Sequence, residues 1–165
     1  MIRRISRIGA DPSDSPERAF RKSLLVVIAV LILPIGLLWG TLYLVVGTLA
    51  GLTAYLYVLV SIAAIAVFSR TRDGRTFLRI ELVDILLAPT LSMILVGGFL
   101  ASGGVGLWGI LAPLGALVFE GVRSGLRWFV AFVIVFLVSG LLGEITGGIS
   151  DLPSWFQTTM IALNV

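Results

Sequence analysis

Residues 23–46 read SLLVVIAVLILPIGLLWGTLYLVV, an apolar stretch that contains no charged side chain. An α-helix needs roughly 20 residues to cross about 30 Å of hydrocarbon, so this stretch predicts a membrane-spanning helix. The same criterion predicts further spans at about 51–68, 77–98, 102–119 and 126–145, and a partial span at 155–165. The chain is therefore expected to be all-α, an integral membrane helical bundle.

The composition agrees with this class and excludes several kinds of chemistry. Hydrophobic residues make up 58% of the chain and charged residues 13%, whereas about a quarter of the residues of a soluble protein are charged. There is no cysteine and no histidine, which excludes disulfides, thiol nucleophiles, imidazole bases and the usual zinc or haem ligands. No cofactor is expected on this chain, and the lipid bilayer, not nucleic acid, is its expected partner.

The basic residues predict the orientation of the helices. All twelve fall into three groups: positions 3–22 before the first span, positions 70–79 around the connection between the second and third, and positions 123–127 around the connection between the fourth and fifth. The positive-inside rule places these segments in the cytoplasm, so the amino terminus is expected to be cytoplasmic and the protein to lie in the inner (plasma) membrane. Residues 1–22 are expected to form a basic arm, in which Ser15 and Pro16 mark the start of a helix.

The last segment, 155–165, is too short to cross the membrane. Its eleven residues would extend about 16 Å as a helix, roughly half of the hydrocarbon thickness. A helix that stopped there would leave its last carbonyl groups in lipid. The sequence therefore predicts five complete spans, followed by the first half of a sixth in which the chain is truncated.

Two acidic residues, Glu81 and Asp84, lie inside the third predicted span, and their spacing of three places them on one helix face. Carboxylates at membrane depth are costly and often mark a proton, cation or ligand site, which makes this pair a candidate intramembrane polar site with Arg79 beside it. The alternative is structural. Both carboxylates lie near the cytoplasmic end of the span, where they can extend to the interface or pair with Arg75, Arg79 or an arginine of a neighbouring helix.

Small residues recur at a spacing of four, a pattern typical of closely packed membrane helices. An alternative interpretation is a discontinuous helix that lines a transporter site. The candidate packing positions form three pairs: Gly36 and Gly40, Gly97 and Ala101, Ala112 and Ala116.

Aromatic residues near the ends of the spans, such as Trp39 and Trp108, are interpreted as interface anchors and not as a ligand cage. The sequence contains no phosphate-binding lysine motif, and no catalytic triad can be assembled from it. Nothing in it indicates catalysis on this chain.

Three segments together resemble a known family: SPERAFRKSLLVVIAVLILPIGLLWGTLYLVVG, VGGFLASGGVGLWGILAPLGALVFEG and SGLRWFVAFVIVFLVSGLL. In this order they resemble the amino-terminal six-helix membrane domain of bacterial class III adenylate/guanylate cyclases. The resemblance covers nearly all of residues 15–165. Its more specific parts are ERAFRK, LPIGLLWG, and GGF followed by LWGILAPLGAL.

The resemblance implies a membrane anchor and sensor that forms a homodimer and precedes a cytoplasmic cyclase domain. That domain makes cyclic AMP from ATP with two metal ions, and none of its catalytic residues can be assigned on this chain. The chain is therefore expected to be a gene fragment, the product of a degraded gene, or a split subunit whose catalytic domain is encoded elsewhere. An alternative function is a small multi-pass transporter or channel subunit that uses Glu81 and Asp84.

Overall fold

A computed structural model of the chain describes residues 8–9, 11, 13–147 and 152–164. These residues form six α-helices, one 3-10 helix and no β-strand, which confirms the predicted all-α class for this part of the chain. The α-helices are α1 (Pro16–Val45), α2 (Gly51–Thr71), α3 (Gly74–Val96), α4 (Leu111–Glu120), α5 (Val122–Thr146) and α6 (Ser154–Asn164). The 3-10 helix, Val105–Ile110, leads directly into α4.

Three of these helices are long and apolar enough to cross a membrane: α1 with 30 residues, α2 with 21 and α5 with 25. Most of the large side chains that they expose are apolar, as lipid-facing surfaces require. Helix α3 has 23 residues, but Arg75, Arg79, Glu81 and Asp84 lie in its first half. These four charges set α3 apart from the three apolar helices.

The amino-terminal part of the fold begins where the capping pattern predicts. Ser15 has an extended backbone, its side chain accepts a hydrogen bond from the backbone N–H of Arg18, and Pro16 takes the first helical position. The predicted arm 1–22 is thus helical from Pro16 onward, while residues 1–7, 10 and 12 of that arm lie outside the described residues.

Helix α3 begins three residues before the predicted start of its span because Asp73 caps it. The Asp73 carboxylate accepts hydrogen bonds from the backbone N–H groups of Arg75 and Thr76, at 3.0 and 3.3 Å. Arg72, just before it, ends α2 with a left-handed backbone (φ 57°). The connection between α2 and α3 is therefore a tight turn that brings their ends together.

The predicted span 102–119 differs from the observed structure. The chain turns repeatedly between α3 and the 3-10 helix, where Gly97, Gly98, Gly103 and Gly104 all have positive φ angles. Glycine reaches this left-handed region at little cost, so the glycine-rich sequence ends one helix and delays the next. Gly97 therefore caps α3 and does not lie on a helix face, and its predicted packing partner Ala101 lies in the same turn.

Helix α3 is the centre of the bundle and packs against α2, α4, α5 and the 3-10 helix. Helix α1 packs mainly on α2 and has few contacts with α3. The largest core cluster includes Phe68 of α2, which stacks on Phe77 of α3 with ring centroids 4.8 Å apart. Because α1 packs on α2 and hardly touches α3, an open groove remains between α1 and α4 along the uncovered side of α3.

Small residues allow close approach at several of these contacts. A Cβ atom on Gly36 would lie 2.9 Å from a methyl carbon of Val58, and one on Gly40 would lie 3.1 Å from the carbonyl oxygen of Gly51. Both predicted positions thus face α2. Ala112 and Ala116, also predicted as packing residues, are fully buried on α4.

The tightest approach of α5 to the turn after α3 was not expected from the sequence. A Cβ atom on Gly143 would lie 2.4 Å from the backbone nitrogen of Gly98 and 2.7 Å from its Cα atom. A backbone cannot rotate away as a side chain can, so this position accepts only glycine without a shift of α5.

We expect Gly143→Ala to lower the free energy of unfolding in detergent by about 1–3 kcal/mol, the usual cost of overpacking. Gly140→Ala, on the same helix, is the matched control, since its nearest neighbour would be the Cε atom of Met93 at 3.9 Å. Both changes gain the same helix propensity, so their difference isolates the clash. Equal stability of the two variants would contradict the described packing of α5 on Gly98.

Candidate functional site

A group of polar side chains lies at the contact between α2 and α3. It consists of Tyr57 and Ser61 from α2 and Glu81 and Asp84 from α3. The Ser61 hydroxyl donates a hydrogen bond of 3.0 Å to a carboxylate oxygen of Glu81. Tyr57 and Ser61 are buried, and both carboxylates are half-buried. Four polar side chains therefore meet within an otherwise apolar pair of helices.

The two carboxylates lie beside different cavities. Glu81 lines a cavity between α1 and α4, whereas Asp84 lines a second cavity bordered by α2 residues such as Leu56 and Val60. A spacing of three residues places side chains about 60° apart around a helix, and the edge of α2 falls between these two. They therefore lie on the same broad face of α3, as predicted, but each borders a cavity on a different side of the contact with α2.

Three oxygen atoms of this group have no hydrogen-bond partner in the described part of the chain: Tyr57 Oη, Glu81 Oε1 and Asp84 Oδ2. Buried polar atoms are nearly always paired, because an unpaired one loses its interaction with water without compensation. A phenol hydroxyl can donate, and carboxylates accept. The group could therefore take a proton, a cation or a hydrogen-bond donor.

The arginines expected to pair with these carboxylates do not do so in the structure. Arg79 is exposed, and the ion pairs within the described residues join Arg21 to Glu17, Lys22 to Asp14 and Arg72 to Asp11. The basic side chains therefore stay near the ends of the helices. Within the described part of the chain neither Glu81 nor Asp84 forms an ion pair, although Arg79 lines the same cavity as Asp84.

A second polar cluster was missed by the sequence analysis. The indole N–H groups of Trp39 and Trp108 both donate to the side-chain oxygen of Asn164, each at 2.8 Å. The amide nitrogen of Asn164 in turn donates to the carbonyl oxygen of Gly103 at 2.8 Å. The two indole rings meet edge to face, with centroids 6.1 Å apart. We call this group the tryptophan–asparagine cluster.

The tryptophan–asparagine cluster fastens α6 to α1 and to the 3-10 helix. Trp39 comes from α1, Trp108 from the 3-10 helix, and Asn164 from the last turn of α6. Trp39 is 9% exposed and Trp108 is half-buried. Their polar atoms bond within the bundle, so they are not simple interface anchors as predicted. Nearby, the Tyr43 hydroxyl donates to the carbonyl oxygen of Ser102 at 2.6 Å and strengthens the same end of the bundle.

An apolar groove runs between α1 and α4, with α3 as its floor. It consists of a cavity of about 60 Å³ beside Trp39 and Trp108 and one of about 230 Å³ beside Glu81. Both cavities are lined by Ile32, Tyr57 and Ile85, so they adjoin. We call this space the lateral groove. The tryptophan–asparagine cluster lies at one end of it.

Within the described residues no group of three or more acidic, cysteine or histidine residues is placed to hold a metal ion. The chain matches no known protein-family model, no curated protein and no solved structure.

We expect Asn164→Ala to destabilise the protein by about 2 kcal/mol or more, because it leaves two buried indole N–H groups without an acceptor. Thr159→Ala on the same helix is the control, since the Thr159 hydroxyl bonds only within α6. Thermal unfolding in detergent measures the difference. A double-mutant cycle with Trp39→Phe should show strong coupling, and additive effects would argue against the cluster.

Proposed function

We propose that the chain is a membrane anchor and sensor domain similar to the one that precedes the catalytic domain of class III adenylate/guanylate cyclases. One observation carries the proposal beyond the sequence resemblance. Trp39 lies in the LPIGLLWG segment and Trp108 in the LWGILAPLGAL segment, and their indole groups meet at Asn164 of α6. Two of the more specific parts of the resemblance thus contact the helix that would lead to an output domain.

In this proposal the amino terminus is cytoplasmic, the protein lies in the inner membrane, and α6 begins the return toward the cytoplasm. The grouping of basic residues at one end supports it. Lys22 of α1 and Arg72 and Arg75 of the connection between α2 and α3 line one concavity. An excess of such residues is typical of cytoplasmic segments. Helix α3, and the 3-10 helix together with α4, add to the apolar helices α1, α2 and α5 as further membrane passes.

The resemblance implies that the domain acts as a homodimer, because cyclase active sites form between two catalytic domains. The anchor would hold two α6 helices at a defined distance and orientation. A signal would favour one of two arrangements of these helices. The tryptophan–asparagine cluster would transmit a movement of α1 to α6, since it joins them through hydrogen bonds.

A fusion of residues 1–165 to a soluble cyclase domain tests this function. Helix α6 covers only about 16 Å, so several apolar helical turns are placed between it and the catalytic domain. We expect cyclic AMP production in cells, and a change of at least twofold when Asn164 is replaced by alanine. Thr159→Ala is expected to leave the output unchanged.

Two outcomes would contradict the proposal. If cyclic AMP is absent although the catalytic domain is active after release by a site-specific protease, the carboxyl end of α6 does not face the cytoplasm. If the output is the same for every variant of the tryptophan–asparagine cluster, the domain is an anchor without a sensing role.

A second function, a transporter or channel subunit, is favoured by the unpaired oxygen atoms of Tyr57, Glu81 and Asp84. Carboxylates without a counter-charge at membrane depth occur in proton and cation pathways. The lateral groove gives Glu81 an opening on one side of α2, and a separate cavity gives Asp84 an opening on the other. A path between these two sides would pass the polar group.

Ion flux into liposomes that contain the purified chain tests the second function. Under a proton or sodium gradient, this function predicts flux above that of empty liposomes and at least a tenfold loss in the double variant Glu81→Gln/Asp84→Asn. The control is Glu144→Gln, which changes an exposed carboxylate. Flux equal to that of empty liposomes would exclude a transport role for this chain under either gradient.

A further inference from the structure

A strongly basic concavity of about 760 Å³ lies at the end of the bundle where α1 begins and where α2 meets α3. We call it the basic basin. Six basic side chains line it: Arg18, Arg21, Lys22, Arg72, Arg75 and Arg79. Three acidic side chains also line it: Asp14, Asp73 and Glu120.

The acidic residues of the basic basin are already engaged by near neighbours. Asp14 pairs with Lys22 at 2.8 Å, Asp73 caps α3, and Glu120 accepts a hydrogen bond from the Ser124 hydroxyl. The hydrogen bond from Lys22 lowers the pKa of Asp14, and hydrogen bonds from Thr76 lower the pKa of Asp73. Both carboxylates thus remain ionised at neutral pH.

Three of the arginines have no ion-pair partner within the described residues. Arg21 pairs with Glu17 and Arg72 with Asp11, which leaves Arg18, Arg75 and Arg79. All three are exposed, so an anion can reach them. A guanidinium group binds phosphate through two parallel hydrogen bonds. Three such groups provide both the positive charge and the hydrogen-bond donors that a phosphate needs.

The basic basin opens directly into the lateral groove. Leu25, Leu78 and Phe119 line both spaces. Beyond them the groove is walled by apolar side chains, including Ile28 of α1 and Leu114 of α4. The combined space has a cationic end and an apolar body, which is the shape and polarity of a phospholipid with an anionic headgroup.

We propose that this space is a binding site for one anionic phospholipid. Arg18, Arg75 and Arg79 bind the headgroup phosphate in the basic basin, and one acyl chain lies along the lateral groove over α3. Polybasic segments attract anionic lipid in general. Here the charge lies at the mouth of a built apolar groove, so the site selects a particular bound lipid over the surrounding ones.

Glu81 is the one carboxylate that the described part of the lateral groove contains. It lies six residues beyond Arg75, which is about 9 Å along α3 at 1.5 Å per residue. Arg79 is closer, two residues from Glu81 or about 3 Å along α3, so Glu81 lies on the groove side of both Arg75 and Arg79. The six basic side chains of the basic basin outnumber its three acidic ones, so attraction of the phosphate exceeds repulsion.

Native mass spectrometry of the whole chain, released from nanodiscs with equal amounts of phosphatidylglycerol and phosphatidylcholine, tests the site. We expect phosphatidylglycerol to be retained at least fivefold more than phosphatidylcholine. The triple variant Arg18→Gln/Arg75→Gln/Arg79→Gln should abolish this preference. The matched control, Arg123→Gln/Arg127→Gln, removes exposed arginines that do not line the basic basin and should keep it.

The apolar half of the site has its own test, which does not depend on charge. Leu114→Trp and Val118→Trp place a bulky side chain on α4 at the edge of the groove, where the native side chains are 49% and 63% exposed. Each should reduce retention of phosphatidylglycerol at least threefold. Leu137→Trp on α5, outside the groove, is the control. Thermal unfolding in phosphatidylcholine shows whether every variant is folded.

Three outcomes would overturn the proposal. Equal retention of the two lipids would show that the basic basin does not select charge. An equal loss in the Arg123 and Arg127 control would show a diffuse attraction of the whole surface. Displacement of the bound lipid by excess inorganic phosphate would show that the site takes free phosphate and that the groove contributes nothing.

Discussion

Inside a hydrocarbon solvent a polar atom must find its hydrogen-bond partner within the protein, because neither lipid nor water supplies one. This constraint governs the arrangement of the helices. Within α-helices the backbone satisfies itself, so the decisive atoms are the few polar side chains. The indole groups of Trp39 and Trp108 satisfy the constraint through Asn164, and the contact of α6 with the bundle follows from it. Tyr57, Glu81 and Asp84 satisfy it only in part.

These two clusters imply different roles. A satisfied cluster fixes one arrangement, since breaking it exposes several donors at once. A cluster with unpaired polar atoms is stabilised by any ligand or proton that supplies the missing hydrogen-bond partner. The bundle therefore has a firmly joined end, at α6 and the 3-10 helix, and a polar centre at α2 and α3 that can respond to what it binds.

Much of the fold could be predicted from local sequence, because hydrophobic length and helix capping are local properties. The start of α1 at Pro16 and the approximate bounds of α2 and α5 follow directly from such patterns. The turn at 97–104 was predicted too short, as a break between the spans 77–98 and 102–119, because glycine is compatible with both close helix packing and a left-handed turn. The contact of Gly143 with Gly98 involves only backbone atoms and leaves no side-chain pattern.

The sequence could predict which residues form the candidate site, but not which partners they contact. Glu81 and Asp84 stand out as charges in an apolar span, but their partners depend on tertiary structure. Ser61 is twenty residues from Glu81, and Asn164 is 125 residues from Trp39. A lone asparagine near the end of an apolar segment gives no sign of such a partner. Pairing with arginine was one possibility for these carboxylates, and no described arginine forms an ion pair with either of them.

The two walls of the lateral groove, α1 and α4, have almost no direct contact with each other, and α3 separates them. The depth and width of the groove are therefore determined by the side chains of α3 that face it, chiefly Leu78, Leu82 and Ile85. Such a groove can change its fit to a straight or bent acyl chain through substitutions at a few floor positions. Because Leu78 and Leu82 also belong to the buried core cluster, a change in lipid preference at these positions is tied to the packing of α3.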